Sequence, residues 1–216
     1  MYKEPRIPSG VTGGSLETEL LGKMDERSYL QEAKSYLERK HHLSKPVLNE
    51  YEMMAEFQNM KYNFSQLLKD MVMSRDNIDY IDYDHSRQLV EVCQRDGSQP
   101  DRPQAFFARS LYNKLKAELD KIGNYQLEYY TAVSSHLDVK HGVDAYFKVL
   151  SSGQEVAQTT LDVTSNPNKS DGYKADYVSV FPHDGLDPRD DREEYAAKVD
   201  ETAQALWDKL EPRLVK

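Results

Sequence analysis

The chain has 216 residues, of which 30% are charged, with 28 Lys and Arg against 37 Asp and Glu and a formal net charge of −9. Mean hydropathy is −0.79, yet the apolar residues fall in periodic stripes, which excludes a disordered chain and predicts a folded one with a strongly polar surface. Acidic and basic residues are spread over both halves, so neither half is the basic block that holds nucleic acid by counterion release alone, although a locally basic cleft stays open.

Met1 to Gly14 carries Pro5, Pro8, Gly10, Gly13 and Gly14 and lacks the apolar core of a signal peptide. Residues 1–15 therefore read as a flexible tail, and a cytoplasmic location follows as the default. No apolar run approaches the ~20 residues of a membrane span. The single cysteine, Cys93, cannot make an internal disulfide, and no Cys-His zinc spacing is present.

Residues 16–97 read as a helical region. Leu16, Leu20 and Met24, then Leu30, Ala33 and Leu37, recur at steps of three and four. After Ser44-Lys45-Pro46 the stripe resumes with Met53, Phe57, Met60, Phe64, Leu67 and Met71 on one helical face. This Met and aromatic stripe reads as ordinary core, with a groove for a protein partner as the alternative. Ile78 to Tyr83 is open between helix and loop, and a third helix is expected over about Ser86 to Gln94. Arg95 to Pro103, rich in Asp, Gly, Ser and Pro, is the expected linker.

From Gln104 the pattern changes. Gln104 to Ile122 predicts a helix with Phe107, Leu111, Leu115, Leu119 and Ile122 in its stripe and a stop at Gly123-Asn124. Alternation predicts strands over Tyr125–Ser134, Val143–Leu150 and Val156–Thr164, with a hairpin at Ser152-Gly153, and Tyr177–Phe181 predicts a fourth strand. A closing helix is expected after Asp187-Pro188, burying Tyr195, Val199, Ala203, Leu206 and Leu210. The fold class is α+β, a helical N-terminal region followed by a mixed sheet flanked by helices.

The chemistry lies in the two middle strands. Val143 to Val149 puts its apolar residues on one face and Asp144 on the other, and Asp162 and Thr164 oppose the apolar face of the next strand. With Ser151–Glu155 as the turn, Leu150 pairs with Val156 and Asp144 falls opposite Asp162. Like charges facing each other across a sheet are destabilising. Kept there, two carboxylates call for a shared proton or a cation, and oxygen ligands suit Mg²⁺ or Mn²⁺. Two solvated carboxylates in another register are the plain alternative. Glu118 sits inside the stripe of the preceding helix, where a carboxylate is costly unless paired or bound to metal; a Glu at the stripe's edge reaching solvent is the alternative. His136 and His141 flank Asp138 and Lys140 before the second strand and are candidates to touch a phosphate or act as a base, or else ordinary loop histidines.

Glu118, then His141-Gly142-Val143-Asp144-Ala145, then Thr160-Leu161-Asp162-Val163-Thr164 resemble, in this order, the PD-(D/E)XK nuclease superfamily, over roughly residues 104–216. The resemblance implies a restriction-endonuclease-like fold and a metal-dependent nuclease that hydrolyses phosphodiester bonds in DNA or RNA. It implies Asp144 and Asp162 as ligands of Mg²⁺ or Mn²⁺, with Glu118 assisting. Lys140, His141 and Thr164 are the expected substrate contacts. The family places a lysine two residues after the second acidic residue, where this chain has Thr164; Lys169 is the candidate replacement, able to stabilise charge on phosphate, or else a plain loop lysine. The alternative is a catalytically inactive scaffold of this fold that binds a protein partner through its helical half.

Overall fold

The structure is a computed structural model describing residues 13–41, 80–95, 98–169 and 174–214. The stripe from Met53 to Met71 and the tail before residue 13 lie outside the described residues. The elements in chain order are α1 (Gly13–Leu21), α2 (Glu26–His41), α3 (Tyr83–Val92), α4 (Phe106–Ile122), β1 (Gln126–Thr131), α5 (His136–His141), β2 (Ala145–Ser151), β3 (Gln154–Thr164), β4 (Tyr177–Val180) and α6 (Arg192–Leu214). None of the helices among the described residues is long and apolar enough to cross a membrane.

The four strands form one mixed sheet in the order β1-β2-β3-β4. The first two pairings are antiparallel, and β4 runs parallel to β3 with Leu161 beside Tyr177 and Thr164 beside Val180. The β2–β3 turn is the expected one: Ser152 and Gly153 both have positive φ, 53° and 78°, as a two-residue hairpin of type I′ requires. Leu150 pairs with Glu155, not with Val156, because the register shifts between Val149 and Leu150. From Val149↔Ala157 to Ala145↔Leu161 the expected pairing holds.

Both faces of the sheet are covered. On one, Ala145, Phe147, Leu161 and Val163 pack against Phe107, Leu111 and Leu115 of α4 and Leu206 and Leu210 of α6, with Leu16, Leu20 and Leu21 of α1 in the same cluster. On the other, Tyr130, Tyr146 and Val143 meet Tyr29, Ala33 and Leu37 of α2 and Val90 and Cys93 of α3. Val143, expected on one face with Ala145 and Phe147, therefore belongs to the opposite layer. Strict alternation failed there because the chain leaves regular strand geometry at Asp144. The cores run across residues 98–103, and α1 to α3 supply part of each covering.

The buried cation under α3 is paired. The buried Lys148 ammonium lies 3.0 Å from Glu91 Oε2, 3.1 Å from Glu128 Oε2 and 4.9 Å from the Tyr130 ring centroid, the compensation a buried cation needs. Ile122, expected in the buried stripe of α4, is exposed because the helix ends there, and Gly123 follows with a Tyr125 ring that would lie 2.9 Å from any Cβ.

Burial ranks the strand residues. Phe147 is fully buried between both partner strands, whereas Val156 on the outer part of the hairpin is exposed. Phe147→Ala is expected to cost about 3–5 kcal/mol and Val156→Ala under about 0.5 kcal/mol, measured by urea unfolding. Equal losses would mean that the sheet does not carry this core.

Candidate metal centre

The centre is built where β2 begins. Ser134 takes φ 71°, turning the chain out of β1, and Ser135 caps α5 by accepting from Leu137 N at 3.0 Å and Asp138 N at 3.3 Å. Gly142 closes the helix in the left-handed conformation, φ 63°, its N–H donating to Asp138 O at 2.8 Å, as αL caps do. This six-residue helix replaces the loop expected around His136 and His141. It turns Asp138 towards Asp144, and Asp138 Oδ2 accepts Ser134 N at 2.7 Å.

Asp144 brackets Asp162. Its N–H donates to Leu161 O at 2.9 Å and its Oδ2 accepts Val163 N at 2.8 Å, the residues either side of Asp162. The carboxyl of Asp144 lies within hydrogen-bonding reach of both Asp138 and Asp162. Glu17, reaching in from α1, completes a group in which one oxygen each of Glu17, Asp138 and Asp144 lies within 4.8 Å of the others. Asp144 is 1% exposed and Asp162 0%. Lys169 Nζ donates to Asp162 Oδ1 at 2.8 Å. Apart from a proton on Asp144, no donor reaches Asp162 Oδ2 among the described residues, although a buried carboxylate oxygen ordinarily has one.

Burial raises all three aspartates. Asp144 is held well above the usual carboxylate range by burial and then by the charges of Asp138, Glu17 and Asp162. Asp138 is pushed up to about 6, chiefly by burial. Asp162 is raised by burial against the opposing pull of Lys169. Four carboxylates around one ammonium, with one buried oxygen lacking a donor other than a proton on Asp144, form a set that a hard divalent cation fits: oxygen ligands, negative charge and incomplete hydrogen bonding.

Other expected site residues go elsewhere. Glu118 stands at the edge of the α4 stripe, half-exposed, with Lys121 Nζ 2.7 Å from its carboxylate. It lines a cavity with Asp200 and Trp207 of α6, so the helix carboxylate of the cluster is Glu17 instead. Leu115 and Leu119, which set the buried face of α4, leave Glu118 turned to α6. His141 is buried against Tyr80 and Tyr83 with its Nε2 2.9 Å from Ile81 O; it holds the 80–83 segment and is not placed to meet a phosphate. His136 bonds Tyr29, which donates or accepts at Nδ1 over 3.2 Å and accepts the His136 N–H at 2.9 Å. Lys140 contributes its carbonyl to Lys174 Nζ at 2.8 Å. Thr164 is buried, its hydroxyl accepting Asn166 N at 3.1 Å, which shapes the turn leading to Lys169.

Two cluster members escaped the sequence reading. Asp138 carries a local signal, since Ser135-His136-Leu137-Asp138 is a capping-box pattern and Gly142 marks the stop. Glu17 carries none; it lies more than a hundred residues before Asp138 and is one of several charged residues of an amphipathic helix. No family model matches the chain, and no curated protein and no solved structure matches it.

The raised carboxyls fix a sign. The native state holds protons more tightly than the unfolded chain, so their contribution to stability is full below about 4, falls as pH rises through the raised values, about 6 for Asp138, and is lost above them. In EDTA at neutral pH, Asp144→Asn keeps an acceptor for Val163 N while removing one like charge. It is expected to raise stability by on the order of 1 kcal/mol, or ~2–4 °C in Tm, and to flatten the fall with pH. A less stable variant with an unchanged pH slope would contradict the like-charge account.

Proposed function

We propose that the chain is a metal-dependent phosphodiesterase acting on nucleic acid, of the PD-(D/E)XK type, with a restriction-endonuclease-like arrangement of its sheet. The observation carrying this reading is the convergence of Asp144, Asp162 and Lys169 from the residue before β2, from β3 and from the turn after β3, with Asp162 Oδ2 buried and without a donor other than a proton on Asp144. The parallel β4 beside β3 and helices on both faces support the fold half of the reading.

In this reading Asp138, Asp144 and Asp162 hold Mg²⁺ or Mn²⁺, and Glu17 takes the helix position first expected of Glu118. A bound divalent ion supplies Lewis acidity towards a phosphoryl oxygen and neutralises charge on the leaving oxygen. The chain's own residues do the rest. Lys169, drawn to Asp162 across 2.8 Å, stands where its ammonium can stabilise charge developing on a phosphate and orient a water for attack. It thereby fills the role left open by Thr164. Burial of Asp144 and Asp162 excludes bulk water, which strengthens every charge interaction inside the cluster. Asp144 Oδ2 is fixed by Val163 N, so the ligand geometry is set by the sheet and not by a loop.

The inactive scaffold is the alternative, and Lys169 separates the two. With Mg²⁺ or Mn²⁺, wild type is expected to cleave a labelled oligonucleotide, and Lys169→Ala to lower the rate by roughly 10²-fold or more without loss of fold. Mn²⁺ should raise Tm in wild type by mass action and leave that of Asp144→Asn unmoved. No cleavage of DNA or RNA by wild type, or equal rates in variants purified identically, would overturn the enzyme in favour of the scaffold.

A further inference from the structure

Beside α1 lies a cleft of about 660 Å³, walled by the end of α1, by Gln94 and Arg95, and by residues 98–105 that lead into α4. Lys23, Arg95 and Arg102 line it together with Glu19. All three cations are exposed, and among the described residues none has a carboxylate partner. The chain as a whole is acidic, with 37 Asp and Glu against 28 Lys and Arg. Three unpaired cations opposed by one Glu make a local excess of positive charge against the charge of the whole molecule.

The floor of the cleft is fixed. Tyr129 OH donates to Leu21 O at 2.8 Å and Gln94 Nε2 to Thr131 O at 3.1 Å, tying both walls to β1. Tyr129 N donates to Pro100 O at 2.9 Å, holding the 98–103 turn against the sheet. The groups facing the space are thus carried on anchored backbone, while their charged ends are free to meet an anion. Thr18 lines this cleft, and Glu17, its neighbour in α1, belongs to the acidic cluster. The two sites share one helix.

We propose that this cleft binds the phosphate backbone of a single-stranded nucleic acid, through Lys23, Arg95 and Arg102. The inference rests on the phosphodiesterase reading for the destination of the strand, but the binding itself needs no metal. A space of about 660 Å³ is on the order of 9 Å across, narrower than the ~12 Å major groove of a duplex, so it takes a single strand of nucleotides. Contacts are to phosphates, so recognition is independent of sequence and falls with salt.

The test is fluorescence anisotropy of a short labelled single strand, as DNA and as RNA, titrated in EDTA at several salt concentrations. Three proteins are compared: wild type, Lys23→Ala/Arg95→Ala/Arg102→Ala, and the control Arg189→Ala/Arg192→Ala/Lys209→Ala, which makes the same change of net charge at other exposed positions. The cleft variant is expected to bind roughly tenfold or more weakly at low salt, with its log K against log salt slope reduced by about 2, as three lost phosphate contacts at ~0.7 each require. The control should keep affinity and slope. No binding by wild type, equal losses in both triple variants, or equal binding of a polyglutamate peptide would overturn the proposal. Mn²⁺ thermal shifts on the same proteins separate the two readings. A cleft variant that keeps the metal shift but loses the strand isolates the cleft, and strand binding without any metal shift would sink the phosphodiesterase while leaving the cleft as a binding surface.

Discussion

Two carboxylates, Asp144 just before β2 and Asp162 within β3, both shut away from water, are the constraint around which the described fold is arranged. Asp144 and Asp162 are 1% and 0% exposed, and burying like charges together is unfavourable unless something compensates. The compensation present is partial. Val163 N and Lys169 each satisfy one oxygen, and the raised carboxyls of Asp138, Asp144 and Asp162 record what is left over. A sheet selected for stability alone would carry apolar or uncharged residues here. Raised carboxyls at a fixed, buried position mark a candidate site, one that a shared proton or a bound cation would complete.

The rest of the described fold serves that position. The β2–β3 pairing sets Asp144 against Asp162, the α5 turn brings Asp138 alongside, and the turn shaped by Thr164 and Asn166 returns Lys169 to the strand it left. The N-terminal helices are part of the same construction. α1 contributes Glu17 to the cluster and its leucines to the core, while Tyr29 of α2, fully buried, holds His136 at the head of α5. Through these contacts the geometry of Asp138 depends on a helix more than a hundred residues away in sequence. That places α1 and α2 among the elements that shape the centre, beyond any role as a surface for a partner.

What could be read in advance follows the range of the interactions involved. The hairpin and its register were legible because they are local: period-two alternation on each side of Ser152-Gly153 leaves one pairing that buries Phe147 and Leu161 together, and that pairing brings Asp144 to Asp162. A single-residue shift at Leu150 did not disturb it, since the shift lies on the turn side of both aspartates. Lys169 was legible from the missing lysine at Thr164. Glu118 misled because its place in a stripe says nothing about which neighbour it faces, and the neighbour is α6. Glu17 was beyond reach for the opposite reason: its role arises from tertiary packing of α1. The unpaired cations of the cleft were equally hidden, as three residues scattered from Lys23 to Arg102 gather only in the folded chain.

The central claim is that the acidic cluster is a divalent-cation site, and crystals grown with Mn²⁺ test it most directly. The account predicts an anomalous difference peak within about 2.0–2.3 Å of carboxylate oxygens from Asp138 and Asp144, with Asp162 Oδ2 turned to the same ion and Lys169 still beside Oδ1. A map with no peak there at saturating Mn²⁺, and with the Asp144–Asp162 pair unchanged, would mean that the carboxylates share a proton and hold no metal.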